Sequence, residues 1–118
     1  MTTLIASLST GKGTWVPVIK LMNSGSFDKI FLITNAWTKE NFRNEKEAEM
    51  IVIDPNKPVE ELTQDVIKSL EGKITDIEVG LNFYSGSGAE HMAILSALLK
   101  MGVGIRLVNF EKESVVEV

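Results

Sequence analysis

Two short stretches hold the residue types that could do chemistry in this chain, Ser9-Thr10-Gly11-Lys12-Gly13 and Tyr84-Ser85-Gly86-Ser87-Gly88. Each mixes glycine with hydroxyls, and each stands between a strand-like apolar run and a helical pattern. Glycine lets backbone approach a ligand, and a helix opening after such a turn offers unpaired N–H groups carrying partial positive charge. The chemistry implied is the holding of a small anion, a phosphate above all. Lys12 either neutralises that anion or stands solvated in its loop. His91 follows the second turn closely; it serves as hydrogen-bond donor or acid/base toward a ligand, or sits half-buried in its helix. Glu90 suits the positive end of that helix and, for the same reason, repels a phosphate placed there. Tyr84 and Phe83 either stack on a base or belong to the core. Trp37 with Asn35, after another strand-like run, is open in the same way.

Neither turn is a standard nucleotide motif. The Gly-x4-Gly-Lys-Ser/Thr spacing of the P-loop is absent, and so is Gly-x-Gly-x-x-Gly. The chain has no cysteine and a single histidine, which excludes disulfides, zinc–thiolate sites, thiol nucleophiles and a multi-histidine metal centre within one chain. No cofactor and no metal are expected. A formal net charge of −4 and a pI near 5.0 argue against a grip on long duplex nucleic acid, while leaving room for a small phosphate ligand.

The elements that must position these turns follow in order. Thr3–Leu8 has the length and apolarity of a buried first strand. Thr14 stands where an N-cap is needed for a helix over Trp15–Ser24, with Trp15, Val18, Ile19 and Met22 on one face and Pro17 in the first turn. Asp28–Thr34 reads as a second strand, Thr38–Ala48 as a charged, solvated helix, and Glu49–Asp54 as a third strand. Pro58–Leu70 is amphipathic, with Val59, Leu62, Val66, Ile67 and Leu70 inward and Gly72 just past its end. In Asp76–Met101, Ile77, Val79 and Leu81 alternate as a strand before the second turn. The helix from Ala89 carries Met92, Leu95, Leu98 and Leu99 on one apolar face. Gly104–Phe110 and Ser114–Val118 form a terminal hairpin around Glu111-Lys112-Glu113.

Strands alternating with helices predict an α/β fold. The expectation is a Rossmann-like three-layer α/β/α sandwich, with a mainly parallel sheet of about six strands and a C-terminal antiparallel hairpin. Residues 1–118 are expected to form one domain. With strand order 3-2-1-4-5-6, the topological switch point falls between the first and fourth strands, and ligands bind there beyond the strands' carboxyl ends. The turns flanking that point are the two glycine-rich ones. No basic n-region opens the chain and no apolar run approaches the ~18–20 residues of a membrane span, so the cytoplasm is the expected location.

In these elements the chain resembles a known family. Thr3–Gly13 is similar to the first strand and loop of CARF domains, the Rossmann-like sensors of cyclic oligoadenylates in type III CRISPR systems. Asp28–Thr34 fits their second strand, and Asn82–Leu95 resembles their second ligand motif. The resemblance implies a homodimer whose crevices join into one basin for a cyclic oligoadenylate. By position, Ser9, Thr10 and Gly11 would contact it from the first loop, and Tyr84, Ser85, Gly86, Ser87 and Gly88 from the second. Some relatives are ring nucleases that cleave the ligand without metal, by aligning a ribose 2′-hydroxyl with the scissile phosphate. In a cleaving version, His91, Ser9 and Lys12 would carry the chemistry. Two departures stand out: Ala89-Glu90-His91 replaces the Lys or Arg common in the second motif, and no effector domain follows the sensor before Val118. Three readings stay open: a cyclic-oligoadenylate binder with or without cleavage, a non-catalytic sensor of another small ligand, and an interaction protein whose glycine turns are plain connections.

Overall fold

Thr3–Leu8 forms β1, and every residue in it is buried. The chain continues through α1 (Trp15–Asn23), β2 (Lys29–Thr34), α2 (Ala36–Asn41), β3 (Glu49–Val52), α3 (Val59–Leu70) and β4 (Glu78–Asn82). It ends with α4 (Gly88–Lys100), β5 (Gly104–Glu111) and β6 (Ser114–Glu117). The computed structural model describes residues 2–9 and 11–118. In it the six strands run in the order β3-β2-β1-β4-β5-β6. Every neighbouring pair is parallel except the terminal β5–β6 hairpin. This is the predicted α/β architecture, with the predicted switch point between β1 and β4.

Burial of β1 follows from its place at the centre with helices on both faces. Ile5 faces one core, built with Leu62, Val66 and Leu70 of α3 and Ala93, Ile94, Ala97 and Leu98 of α4. Leu4, Ala6 and Leu8 face the other, built with Trp15, Val18, Leu21 and Met22 of α1. Gly80 in β4 is needed by that second core, because an added Cβ would lie 3.0 Å from the Phe27 ring.

The structure corrects several local expectations. Thr14 is helical and makes no cap bond, its hydroxyl being turned instead toward Gly11 and Ser85. Leu21, rather than Ile19, completes the buried face of α1, and Ile19 is exposed. The charged helix expected over Thr38–Ala48 is only α2, which starts earlier, with Asn35 capping Thr38 N–H at 2.8 Å. It stops because Phe42 turns extended to bury its ring edge-on against Trp15, 5.5 Å away. Beyond it, Asn44 bonds both the N–H and the carbonyl of Ala48, closing a turn in place of a helix. Ile77 lies outside β4 and is 90% exposed.

α4 differs most. Its buried face is Ala93, Ile94, Ala97 and Leu98, while Met92, Leu95 and Leu99 point outward. Alanines let the helix approach α3 and the sheet closely, so the bulkier stripe is left on the open side. Opposite Leu81, Leu107 of β5 is exposed as well.

The β5–β6 turn carries Lys112 and Glu113 at φ 50° and 64°, the two left-handed positions of a type I′ hairpin turn. A left-handed non-glycine residue costs ~1–2 kcal/mol, and Asn-Gly is the preferred pair for this turn. Lys112→Asn combined with Glu113→Gly should therefore stabilise the protein by about 1 kcal/mol after the extra chain entropy of glycine. A raised urea midpoint with unchanged slope is the expected reading. A lowered midpoint would contradict the turn assignment.

Candidate functional site

Pairing of β1 with β4 sets the two glycine-rich turns side by side and bonds them directly. Ser9 N–H donates to Ser85 Oγ at 2.9 Å, and Thr14 Oγ1 lies 2.7 Å from both Ser85 Oγ and the Gly11 carbonyl. Thr14 has one proton and the Gly11 carbonyl can only accept, so both contacts are met when Thr14 donates to Gly11 and the Ser85 hydroxyl donates to Thr14 Oγ1. The Ser9 carbonyl accepts from Trp15 Nε1 at 2.6 Å, and its hydroxyl accepts from Asn35 Nδ2 at 3.3 Å. Ser9 is thus fixed from α1, from the end of β2 and from the turn after β4. Ser85 is fully buried, and its hydroxyl is a staple between the turns rather than a group facing solvent.

Gly86 comes next, at φ 103°. A Cβ there would run into Ser7 Oγ and stand 3.1 Å from His91 Nε2. The Ser7 hydroxyl is itself buried without a hydrogen-bond partner. His91 Nε2 is 2.8 Å from the Ser85 carbonyl, so that nitrogen carries the proton and donates it. The ring is stacked on Phe83, with centroids 4.6 Å apart. His91 therefore braces the turn, and any proton transfer to a ligand falls to Nδ1.

The start of α4 is capped from within. Ser87 Oγ accepts from Glu90 N–H at 3.2 Å, and Glu90 Oε1 accepts from Ser87 N–H at 2.9 Å, a capping box. Glu90 is only 2% exposed, and its Oε2 has no partner. A carboxylate of the chain itself thus occupies the positive helix end where a ligand phosphate was expected. Around this interior, Gly11, Lys12, Gly13, Tyr84, Gly86, Ser87 and Gly88 form an exposed rim. Of the residues predicted to act together, Ser9, Ser85, Gly86 and His91 form one bonded cluster, and Gly11, Lys12 and Tyr84 stand at its edge. Thr10 lies outside the described residues.

A second concavity escaped the sequence reading. A cleft of about 720 Å³ lies over the carboxyl ends of β2 and β3, between Trp37, Val52 and Pro55 on one side and Lys57, Asp65 and Lys68 on the other. Lys57 Nζ donates to Asp65 at 3.0 Å, and this hydrogen bond and the carboxylate charge hold the ammonium above its ordinary pKa. The available signal was the aromatic Trp37 straight after one strand and Asp54-Pro55 straight after the next. Another cleft, of about 540 Å³, opens at the amino ends of β2 and β3 near Phe27, Lys29 and Lys73. No helix start points into an α/β sheet from that edge. Among the described residues, no three His, Cys, Asp or Glu side chains converge as metal ligands. No helix there is long and apolar enough to cross a membrane.

Fold and turns together define a Rossmann-like α/β protein with paired glycine–serine turns at its switch point. Beyond that class, no protein-family model matches the chain and no curated protein matches its sequence.

Proposed function

We propose that the crevice between β1 and β4 binds a cyclic oligoadenylate, taken up by two copies of the chain related by a twofold axis. The observation that carries this reading is the direct Ser9–Ser85 bond, which joins two glycine-rich turns into one rim at the switch point. The rim supplies backbone N–H groups, the Lys12 ammonium for a phosphate and the Tyr84 ring for a base. Pairing of copies is supported by the outward Met92, Leu95 and Leu99 stripe of α4 and by the exposed Leu107 of β5. A patch of this kind needs only apolar complementarity to meet itself across a twofold axis. It would bring two rims together over one ligand. Binding alone and binding with slow, metal-independent cleavage are both compatible with this geometry; Ser9, Lys12 and His91 are the residues to test for cleavage.

Glu90 favours a second reading, in which the crevice holds an uncharged, hydroxyl-rich small molecule and no phosphate. Its buried carboxylate opposes a nearby anion.

The test is incubation with labelled cyclic tetra-adenylate and cyclic hexa-adenylate without metal, read on native and denaturing gels, with sedimentation for oligomeric state. A shifted band from a dimer is the expected result. Linear products that diminish in His91→Ala and Ser9→Ala would assign the cleavage step. No shift with either ring at micromolar protein overturns the cyclic-oligoadenylate reading and leaves the second.

A further inference from the structure

We propose that the cleft over β2 and β3 is a second ligand site, which takes a planar heteroaromatic group against Trp37 and its anionic substituent at Lys68. That is the chemistry of a nucleoside monophosphate. The proposal stands on its own residues and does not depend on what the β1–β4 crevice binds.

Trp37 is 45% exposed, and one side of its ring meets the protein. It rests on Trp15 with centroids 6.1 Å apart, and Trp15 is buried, held by the Ser9 carbonyl and by Phe42. An indole backed on one side in this way, at a tilt of 47°, presents its open surface for stacking, which tolerates any base. The cleft beside it has the size range of small-molecule sites, ~300–1,000 Å³. Its wall is apolar where a ring would lie: Ile53 is buried beneath, while Val52 and Pro55 are open to the cleft.

The charges then set the polarity of the guest. Lys57 and Asp65 satisfy each other. Asp54 Oδ1 accepts from Asn56 N–H at 3.0 Å and so serves its own turn. Lys68, on the last turn of α3, has no carboxylate within ion-pair distance among the described residues. A guest with one aromatic plane and one anionic group meets each of these features once.

The experiment titrates the uniformly 15N-labelled chain with adenosine 5′-monophosphate, with adenosine and inorganic phosphate as controls. Saturable shifts of the Trp37 indole N–H and of the Val52–Asp54 and Lys68 amides are expected, with the Gly11 and Gly86 amides still. Trp37→Ala should weaken binding by about tenfold or more, and Trp37→Phe by much less. Lys68→Gln should reduce the affinity for the monophosphate to that for adenosine. Shifts confined to Gly11 and Gly86 would overturn the proposal while supporting a nucleotide in the crevice. No saturable shift at millimolar nucleotide would overturn it whatever the crevice does, since the cyclic ligands report on that site separately.

Discussion

Replacing Gly86 with alanine is expected to destabilise the protein by roughly 2–4 kcal/mol, the sum of left-handed strain and overpacking at one position. For a chain of this size that is a melting temperature lower by roughly 10 °C. Two causes contribute and can be separated. The φ of 103° penalises any Cβ, and the same Cβ meets Ser7 Oγ and the His91 ring. Ser7→Ala alone should be close to neutral, because the hydroxyl it removes is buried and unpartnered. Added to Gly86→Ala, it should restore the part of the loss due to the Ser7 hydroxyl and leave the strain and the close contact with His91. A Gly86→Ala protein melting within a degree or two of the parent would refute the turn geometry on which the site is built.

Trp15→Ala should have a larger effect still, about 3–5 kcal/mol, as expected for truncating a buried indole. Trp15 fills the core beneath α1, meets Phe42 edge-on, supports Trp37 and donates to the Ser9 carbonyl. Trp15→Phe isolates one of these roles. It keeps an aromatic ring in the core but leaves the half-buried Ser9 carbonyl without its donor, at a cost of about 1–3 kcal/mol for the unmet acceptor. Chemical denaturation of both variants gives the comparison. If Trp15→Phe cost as much as Trp15→Ala, the hydrogen bond would outweigh packing at this position. If it cost nothing, Ser9 would be held without it. Loosening Ser9 also loosens the rim, so under the proposed function binding of the cyclic oligoadenylates should weaken in Trp15→Phe.

The sequence carried much of the site's location, for a local reason. Where a strand ends and a helix begins is written in a change of period from two to 3.6 and in glycine between them. Both turns were found that way, and the β-α alternation then places strand order and switch point by general topology. The opposing charge of Glu90 was legible too, because its place beside the helix start is a local matter. The Ser87 cap, one residue before the start of α4 at Gly88, emerges only in the structure. Roles that depend on distant partners were not legible either. Ser85 reads as a ligand hydroxyl until Ser9 and Thr14, more than 70 residues away, are seen to claim it. His91 reads equally as an acid/base or as a half-buried helix residue until the Ser85 carbonyl and Phe83 are seen to fix its ring.

The sequence by itself therefore determined the order of elements, the class of sheet and the two glycine-rich turns that meet at its switch point. Only the tertiary structure decided which way the side chains at those places face. The physical reason is plainest in α4, which is apolar on nearly every side, so periodicity cannot choose its buried face. Closeness of approach chooses it: Ala93 and Ala97 let the helix settle onto α3 and the sheet, and Met92, Leu95 and Leu99 are turned outward. A pattern of residue types sets what an element can bury; the shape of its neighbours sets what it does bury.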